Sequence, residues 1–162
     1  MKKKFFSWAI SALMLLTLFP FQAVSACTGF IIGKDLTTDG STLYGRTEDL
    51  EPNHNKNFVV RERKYNKAGD KFVDETNGFS FDLPAVSYKY TAVPDVTPEQ
   101  GVFDEAGFNE EGVSISATVS ASANDDIQKV DPYVKDGIAE SALTSVVLSH
   151  VKTVKEGEEH IA

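Results

Sequence analysis

The stretch CTGFIIGKDLTTDGSTLYGRTEDL, residues 27–50, decides how the rest of the chain is read. Phe30, Ile31 and Ile32, bounded by Gly29 and Gly33, read as a short buried strand. Asp39-Gly40 is a strong turn signal, and it leads into a second strand over residues 41–45. Two strands joined by a short polar loop form a hairpin, with Cys27 at its free end. This is the chain's single cysteine.

Upstream of Cys27 the sequence has the three parts of a secretory leader. Lys2, Lys3 and Lys4 form a positive start, residues 5–19 are mostly apolar, and Val24-Ser25-Ala26 supplies the small residues that a signal peptidase accepts. The apolar run is followed closely by Pro20 and falls short of the about 18 residues needed for a membrane span. Residues 1–26 are therefore expected to be a signal peptide. Residues 27–162 then form the mature part, secreted or otherwise extracytoplasmic and of bacterial type. The whole chain carries a formal net charge of −8, and losing three lysines makes the mature part more acidic still. Such a balance argues against nucleic acid or an anionic membrane as a partner. A single cysteine also excludes an intramolecular disulfide framework and leaves one thiol in an oxidising compartment, placed directly after the cleavage site.

Downstream, residues 58–63 read as a strand. Residues 87–93 read as a half-buried one, with Tyr88 and Tyr90 alternating against Lys89 and Thr91. Polar connections containing Gly69-Asp70 and Asn77-Gly78 lie between them, and Pro94 and Pro98 mark a loop. Residues 103–108 and 113–119 flank Asn109-Glu110-Glu111-Gly112, which has the look of a hairpin turn. Val113, Ile115, Ala117 and Val119 repeat with period two and form an apolar face that would lie exposed on an uncovered sheet. Residues 138–151 follow helical spacing, with Glu140 near the start where the helix dipole favours an acid, and residues 153–156 begin another helix. Strands followed by helices make an α+β pattern, with helices covering one face of an antiparallel sheet.

The chemistry centres on Cys27. A thiol needs a base to become a good nucleophile near neutral pH. A chain-terminal cysteine carries its own in the α-amine, whose pKa of about 7.7 to 8.0 leaves a fair neutral fraction. The histidines are weaker candidates. His54 sits in a polar loop, His150 in the helical tail and His160 at the end, and surface or packing roles suit all three. Neither zinc spacing, nor a phosphate loop, nor a dinucleotide fingerprint occurs, so no metal or cofactor is expected.

The segment 27–50 resembles the opening of the dipeptidase A family of cysteine peptidases, within the N-terminal-nucleophile hydrolases. The matching elements are the leading Cys27-Thr28, the turn Asp39-Gly40-Ser41-Thr42, and Arg46-Thr47-Glu48-Asp49. Residues 106–118 (AGFNEEGVSISAT) and 131–143 (DPYVKDGIAESAL) resemble the family as well. The resemblance implies a four-layer αββα sandwich, incomplete in this chain because family members continue past Ala162. It further implies an exported dipeptidase that attacks peptide bonds through an acyl-enzyme, with dipeptides or short peptides as substrate. Cys27 would be the nucleophile and its amine the base. Arg46 would stabilise the thiolate, Asp49 would hold the terminal amine, and Asn109 would help form the oxyanion hole. Strict strand alternation would send Arg46 and Asp49 to opposite faces, so these roles require the strand to end or bulge near Thr47.

Two other readings use the same residues. Val24-Ser25-Ala26-Cys27 also fits a loose lipoprotein signal, in which a lipidated Cys27 would anchor a surface binding module. A strand that begins almost at once after Cys27 leaves no room for the flexible linker lipoproteins usually carry. Penicillin and bile-acid amide hydrolases also begin with cysteine and carry an arginine and an aspartate nearby. Self-association is left open.

Overall fold

The computed structural model describes residues 27–49, 56–97, 101–118 and 123–161. Val24-Ser25-Ala26, His54, Pro98 and Val119 lie outside the described residues. The chain divides into two compact units, one ending at Leu50 and the other beginning at Glu51.

The first unit is the hairpin. Strand β1 (Gly29–Ile32) pairs antiparallel with β2 (Leu43–Arg46), in the register Gly29 to Arg46 through Ile32 to Leu43. A single 3-10 turn at Lys34–Leu36 starts the connection. The Asp39 carboxylate closes it, accepting from the Ser41 amide at 3.0 Å and the Ser41 hydroxyl at 2.7 Å. Thr37 donates its hydroxyl to the Ser41 carbonyl at 2.7 Å. Gly40 takes a φ of +73°, which side-chain-bearing residues rarely adopt. The Ser41 hydroxyl is the main reason the Asp39 carboxyl is held below its ordinary pKa. The expected hairpin is present, but β1 is not buried: Phe30 and Ile31 are 55% and 79% exposed. An apolar run reports a strand without saying which surface covers it.

The second unit is built on a four-stranded antiparallel sheet in the order β10-β9-β8-β3. Its strands are β3 (Val59–Arg61), β8 (Tyr90–Thr97), β9 (Gly101–Asn109) and β10 (Ser114–Ser116). Small two-stranded ribbons pair β4 (Lys64–Tyr65) with β7 (Val86–Ser87), and β5 (Lys71–Val73) with β6 (Ser80–Asp82). The β5–β6 hairpin occupies a region read as polar connection. Pro94 is not in a loop as expected. It lies inside β8, where the pairing with β9 shifts register between Val93 and Pro94, and such a bulge tolerates a residue that cannot donate to the ladder.

Three helices follow: α1 (Asp125–Val130), α2 (Glu140–His150) and α3 (Val154–Ile161). The last two were expected. α1 was not, although Asn124 caps it by accepting from the amides of Asp126 and Ile127. Helix α2 covers one face of the sheet. Leu148 packs with Tyr90 and Ala92, while Val147 and Val151 pack with Val113. Gly107 permits this approach, since a Cβ there would lie 2.1 Å from the Thr91 carbonyl oxygen and 3.0 Å from Leu148. Val113 and Ala117, expected on a bare apolar face, are therefore buried, and the exposed large apolar residues of the sheet are Val60, Val96, Val102 and Phe108. The arrangement is α+β. Among the described residues, no helix is long and apolar enough to cross a membrane.

Candidate active site

The chemistry-bearing end of the hairpin is where β1 begins and β2 stops. Gly29 pairs with Arg46, so the residues just before β1 and just after β2 lie side by side. The Arg46 Nη2 donates to Cys27 Sγ at 3.5 Å. Cys27 is a free thiol and half-buried. A guanidinium remains charged at any pH a protein meets, so this contact sets a fixed positive charge beside the sulfur.

Strand β2 ends at Arg46, and the alternation that would have separated Arg46 from Asp49 does not continue past it. Beyond the strand the two edges are tied by Thr28 and Thr47. The Thr47 amide donates to the Thr28 carbonyl at 2.8 Å, and the Thr28 amide donates to the Thr47 hydroxyl oxygen at 3.1 Å. The Thr47 hydroxyl in turn donates to Asp49 Oδ2 at 3.0 Å. The structure thus brings Cys27, Arg46 and Asp49 to one end of one hairpin. Sequence reasoning assigned no role to Thr47. Its signal was a threonine placed two residues before the aspartate, a spacing at which hydroxyl and carboxylate meet once the strand has ended.

Asn109, in the second unit, is 3% exposed and ends β9 rather than standing in the turn. Its Nδ2 donates to the carbonyls of Leu148 at 3.0 Å and Val151 at 2.8 Å. Its Oδ1 accepts from the amides of Glu111 at 3.1 Å and Val113 at 2.9 Å. Both amide hydrogens thus satisfy carbonyls at the end of α2, which have no partner within the helix.

The two histidines among the described residues pack. His150 and His160 stack with ring centroids 5.6 Å apart, and Phe81 meets both edge-on at 4.7 and 4.9 Å. Burial lowers the His150 pKa, and the neighbouring His160 adds to the effect, while a hydrogen bond to the Val146 carbonyl opposes it. Lys56 Nζ lies 2.9 Å from Asp95 Oδ1 and 3.0 Å from Glu105 Oε2, so an ammonium already sits between this buried carboxylate pair.

Comparison with known proteins adds a family. Residues 26–162 match the model of peptidase family C69. A probable dipeptidase B of Streptococcus pyogenes serotype M1 is 67% identical over 155 residues, which cover 95% of this chain and 31% of that protein. A probable dipeptidase of Latilactobacillus sakei is 37% identical over 83% of this chain and 28% of its own length. A probable dipeptidase of Salmonella dublin is 33% identical over 96% and 34%. The chain thus spans about a third of the length of these curated relatives, and the expected kinship with dipeptidases is met.

Proposed function

We propose, from the premise that this chain belongs to peptidase family C69, that it is the nucleophile-bearing part of an exported dipeptidase whose mature chain starts at Cys27. The observation that carries the reading is the contact of Arg46 Nη2 with Cys27 Sγ at 3.5 Å, made where two paired strands end together. The fold would be the αββα sandwich, with the sheet and α2 of the second unit as two of its layers.

In the proposed reaction the Cys27 sulfur attacks the carbonyl carbon of the peptide bond, and the α-amine of Cys27 takes the thiol proton. Arg46 lowers the cost of the thiolate. The proton then passes to the leaving amine as the C–N bond breaks, which leaves a thioester on Cys27. Water, activated by the same amine, hydrolyses that thioester and restores the thiol. In this reading Asp49, which accepts from the Thr47 hydroxyl, holds the amine. The oxyanion role expected of Asn109 would require an amide hydrogen to leave a helix carbonyl. We therefore assign Asn109 to positioning: it fixes the β9–β10 turn against α2, and backbone donors of the complete enzyme serve the oxyanion.

The test is N-terminal sequencing and intact mass of the exported protein, beside dipeptide turnover. A start at Cys27 with a free amine is expected, and Cys27→Ala should lose at least about a thousandfold in turnover while its melting temperature stays that of the parent. Arg46→Ala should lower turnover more than stability. A diacylglyceryl increment on Cys27, or full activity in Cys27→Ala, would remove the assignment.

A further inference from the structure

The second unit contains an open cavity of about 980 Å³ that the proposed reaction does not use. Its lining includes an ion pair, Arg61 with Asp104, and a second carboxylate, Asp74, and a serine of α2 donates to each aspartate. On one side Asp104, 3% exposed, accepts from Arg61 Nε at 3.0 Å and Nη2 at 2.7 Å, from the Tyr90 hydroxyl at 2.8 Å and from Ser145 Oγ at 3.3 Å. These bonds saturate the carboxylate and lock the guanidinium in one orientation. The Arg61 side chain remains 44% exposed, with N–H donors left over.

On the other side is Asp74, 7% exposed. Its Oδ1 accepts from the Thr76 amide at 2.9 Å and hydroxyl at 2.6 Å, and its Oδ2 accepts from Ser141 Oγ at 2.6 Å. Burial pushes its pKa up, but the hydrogen bonds from Ser141 and Thr76 outweigh this and hold the carboxyl below its ordinary value. Among the described residues, no lysine or arginine pairs with it. A buried carboxylate without a counter-charge is costly unless something cationic visits it.

Ser141 and Ser145 are four residues apart on α2, so Asp74 and Asp104 meet the helix about 6 Å apart along it, with Arg61 reaching the cavity from Asp104. The charged ends of an extended dipeptide are separated by a similar length, since each residue spans roughly 3.3–3.6 Å. A simple anion would leave Asp74 unmatched, and a simple cation would leave the spare N–H donors of Arg61 unused. We propose that this cavity binds a short zwitterionic peptide, its ammonium on Asp74 and its carboxylate on Arg61, at a site formed by the second unit alone. The choice of ligand rests on the dipeptidase reading; the geometry of the site does not.

The experiment is calorimetric titration of the full chain carrying Cys27→Ala, which prevents turnover without touching the cavity, with Ala-Ala, its N-acetyl form and its C-terminal amide. Blocking either end should weaken binding by about tenfold or more, the worth of a charge-assisted hydrogen bond. Asp74→Asn should abolish the preference for a free ammonium while keeping that for a free carboxylate, and Arg61→Gln should do the reverse. A merely structural role for either residue would not produce that crossed pattern. Should a variant fail to fold, amide shifts of Thr76, Ser141 and Ser145 in the Cys27→Ala chain on adding Ala-Ala decide the matter, and their absence overturns the proposal. Binding indifferent to both variants, with dipeptides still hydrolysed by the Cys27 chain, removes this site and leaves the dipeptidase reading standing. The crossed pattern, with no dipeptide turnover by the complete enzyme carrying Cys27, does the opposite.

Discussion

The hairpin over residues 27–49 and the sheet-and-helix unit over residues 56–161 are held by different forces. In the hairpin Phe30, Ile31 and Leu43 are 55%, 79% and 49% exposed, whereas Ala92, Thr144 and Leu148 in the larger unit are 1% or less exposed. What shapes the hairpin is hydrogen bonding: the strand ladder, the Asp39–Ser41 turn and the Thr28–Thr47 tie. What shapes the larger unit is side-chain packing between α2 and the sheet. Substitutions in the first should therefore alter chemistry with little change in melting, and substitutions in the second should alter melting first.

Gly107 gives the largest expected effect on stability. A Cβ there would lie 2.1 Å from the Thr91 carbonyl oxygen and 3.1 Å from the Ala92 Cα, both main-chain atoms in the centre of the sheet. Neither can move without breaking the β8–β9 ladder, so Gly107→Ala should cost about 3 kcal/mol or more in urea unfolding. A loss under 1 kcal/mol would mean that helix and sheet are not rigidly packed.

Asn109→Ala comes next. It leaves the carbonyls of Leu148 and Val151 and the amide of Val113 without their side-chain partner in a buried place. The cost should be about 2–3 kcal/mol, read from the same unfolding curves. If Asn109 instead serves the oxyanion, turnover should fall far more than stability, and the two readouts separate the roles.

The larger unit was the better read of the two. Period-two alternation from Val113 and helical spacing from Ile138 both report burial against a partner present in the same unit, and both elements formed. The β5–β6 hairpin escaped because its strands are three residues long, too short for alternation to stand out from polar loop. Pro94 misled for a related reason: proline punctuates sequence strongly, while the bulge that accommodates it depends on the partner strand. In the hairpin the elements were legible but their burial was not, since what covers Phe30 and Ile31 is not a local property. The grouping of Cys27, Arg46 and Asp49 was legible through motif resemblance. The Thr47 tie and the carbonyl partners of Asn109 depend on where strands end, the least readable feature of any strand.

A smaller effect should appear with pH. Because the folded-state pKa of His150 lies below its ordinary value, the neutral ring is the one that folding favours. That contribution is complete above the unfolded pKa of about 6.5 and is lost as pH falls below it. The melting temperature should therefore decline between pH 7 and pH 5, and by less in His150→Gln. An equal decline in both proteins would place the titrating group elsewhere.

The smallest effect should come from a second glycine, in the hairpin. A Cβ on Gly45 would also clash, lying 2.6 Å from Phe30 Cζ and 2.7 Å from Cε1. Here the obstacle is the far end of a side chain that is 55% exposed, and rotation about χ1 can carry the ring away without disturbing the β1–β2 ladder. Gly45 is not among the positive-φ glycines, so alanine suits its backbone. Alanine also loses less conformational freedom on folding than glycine, which offsets part of any lost ring contact. Gly45→Ala should therefore change stability by no more than about 0.5 kcal/mol, even though its clash resembles that of Gly107 on paper. Unfolding curves of the two variants side by side make the test. A loss at Gly45 approaching that at Gly107 would show that the Phe30 ring is clamped in the complete protein, and that packing governs the hairpin as it does the sheet.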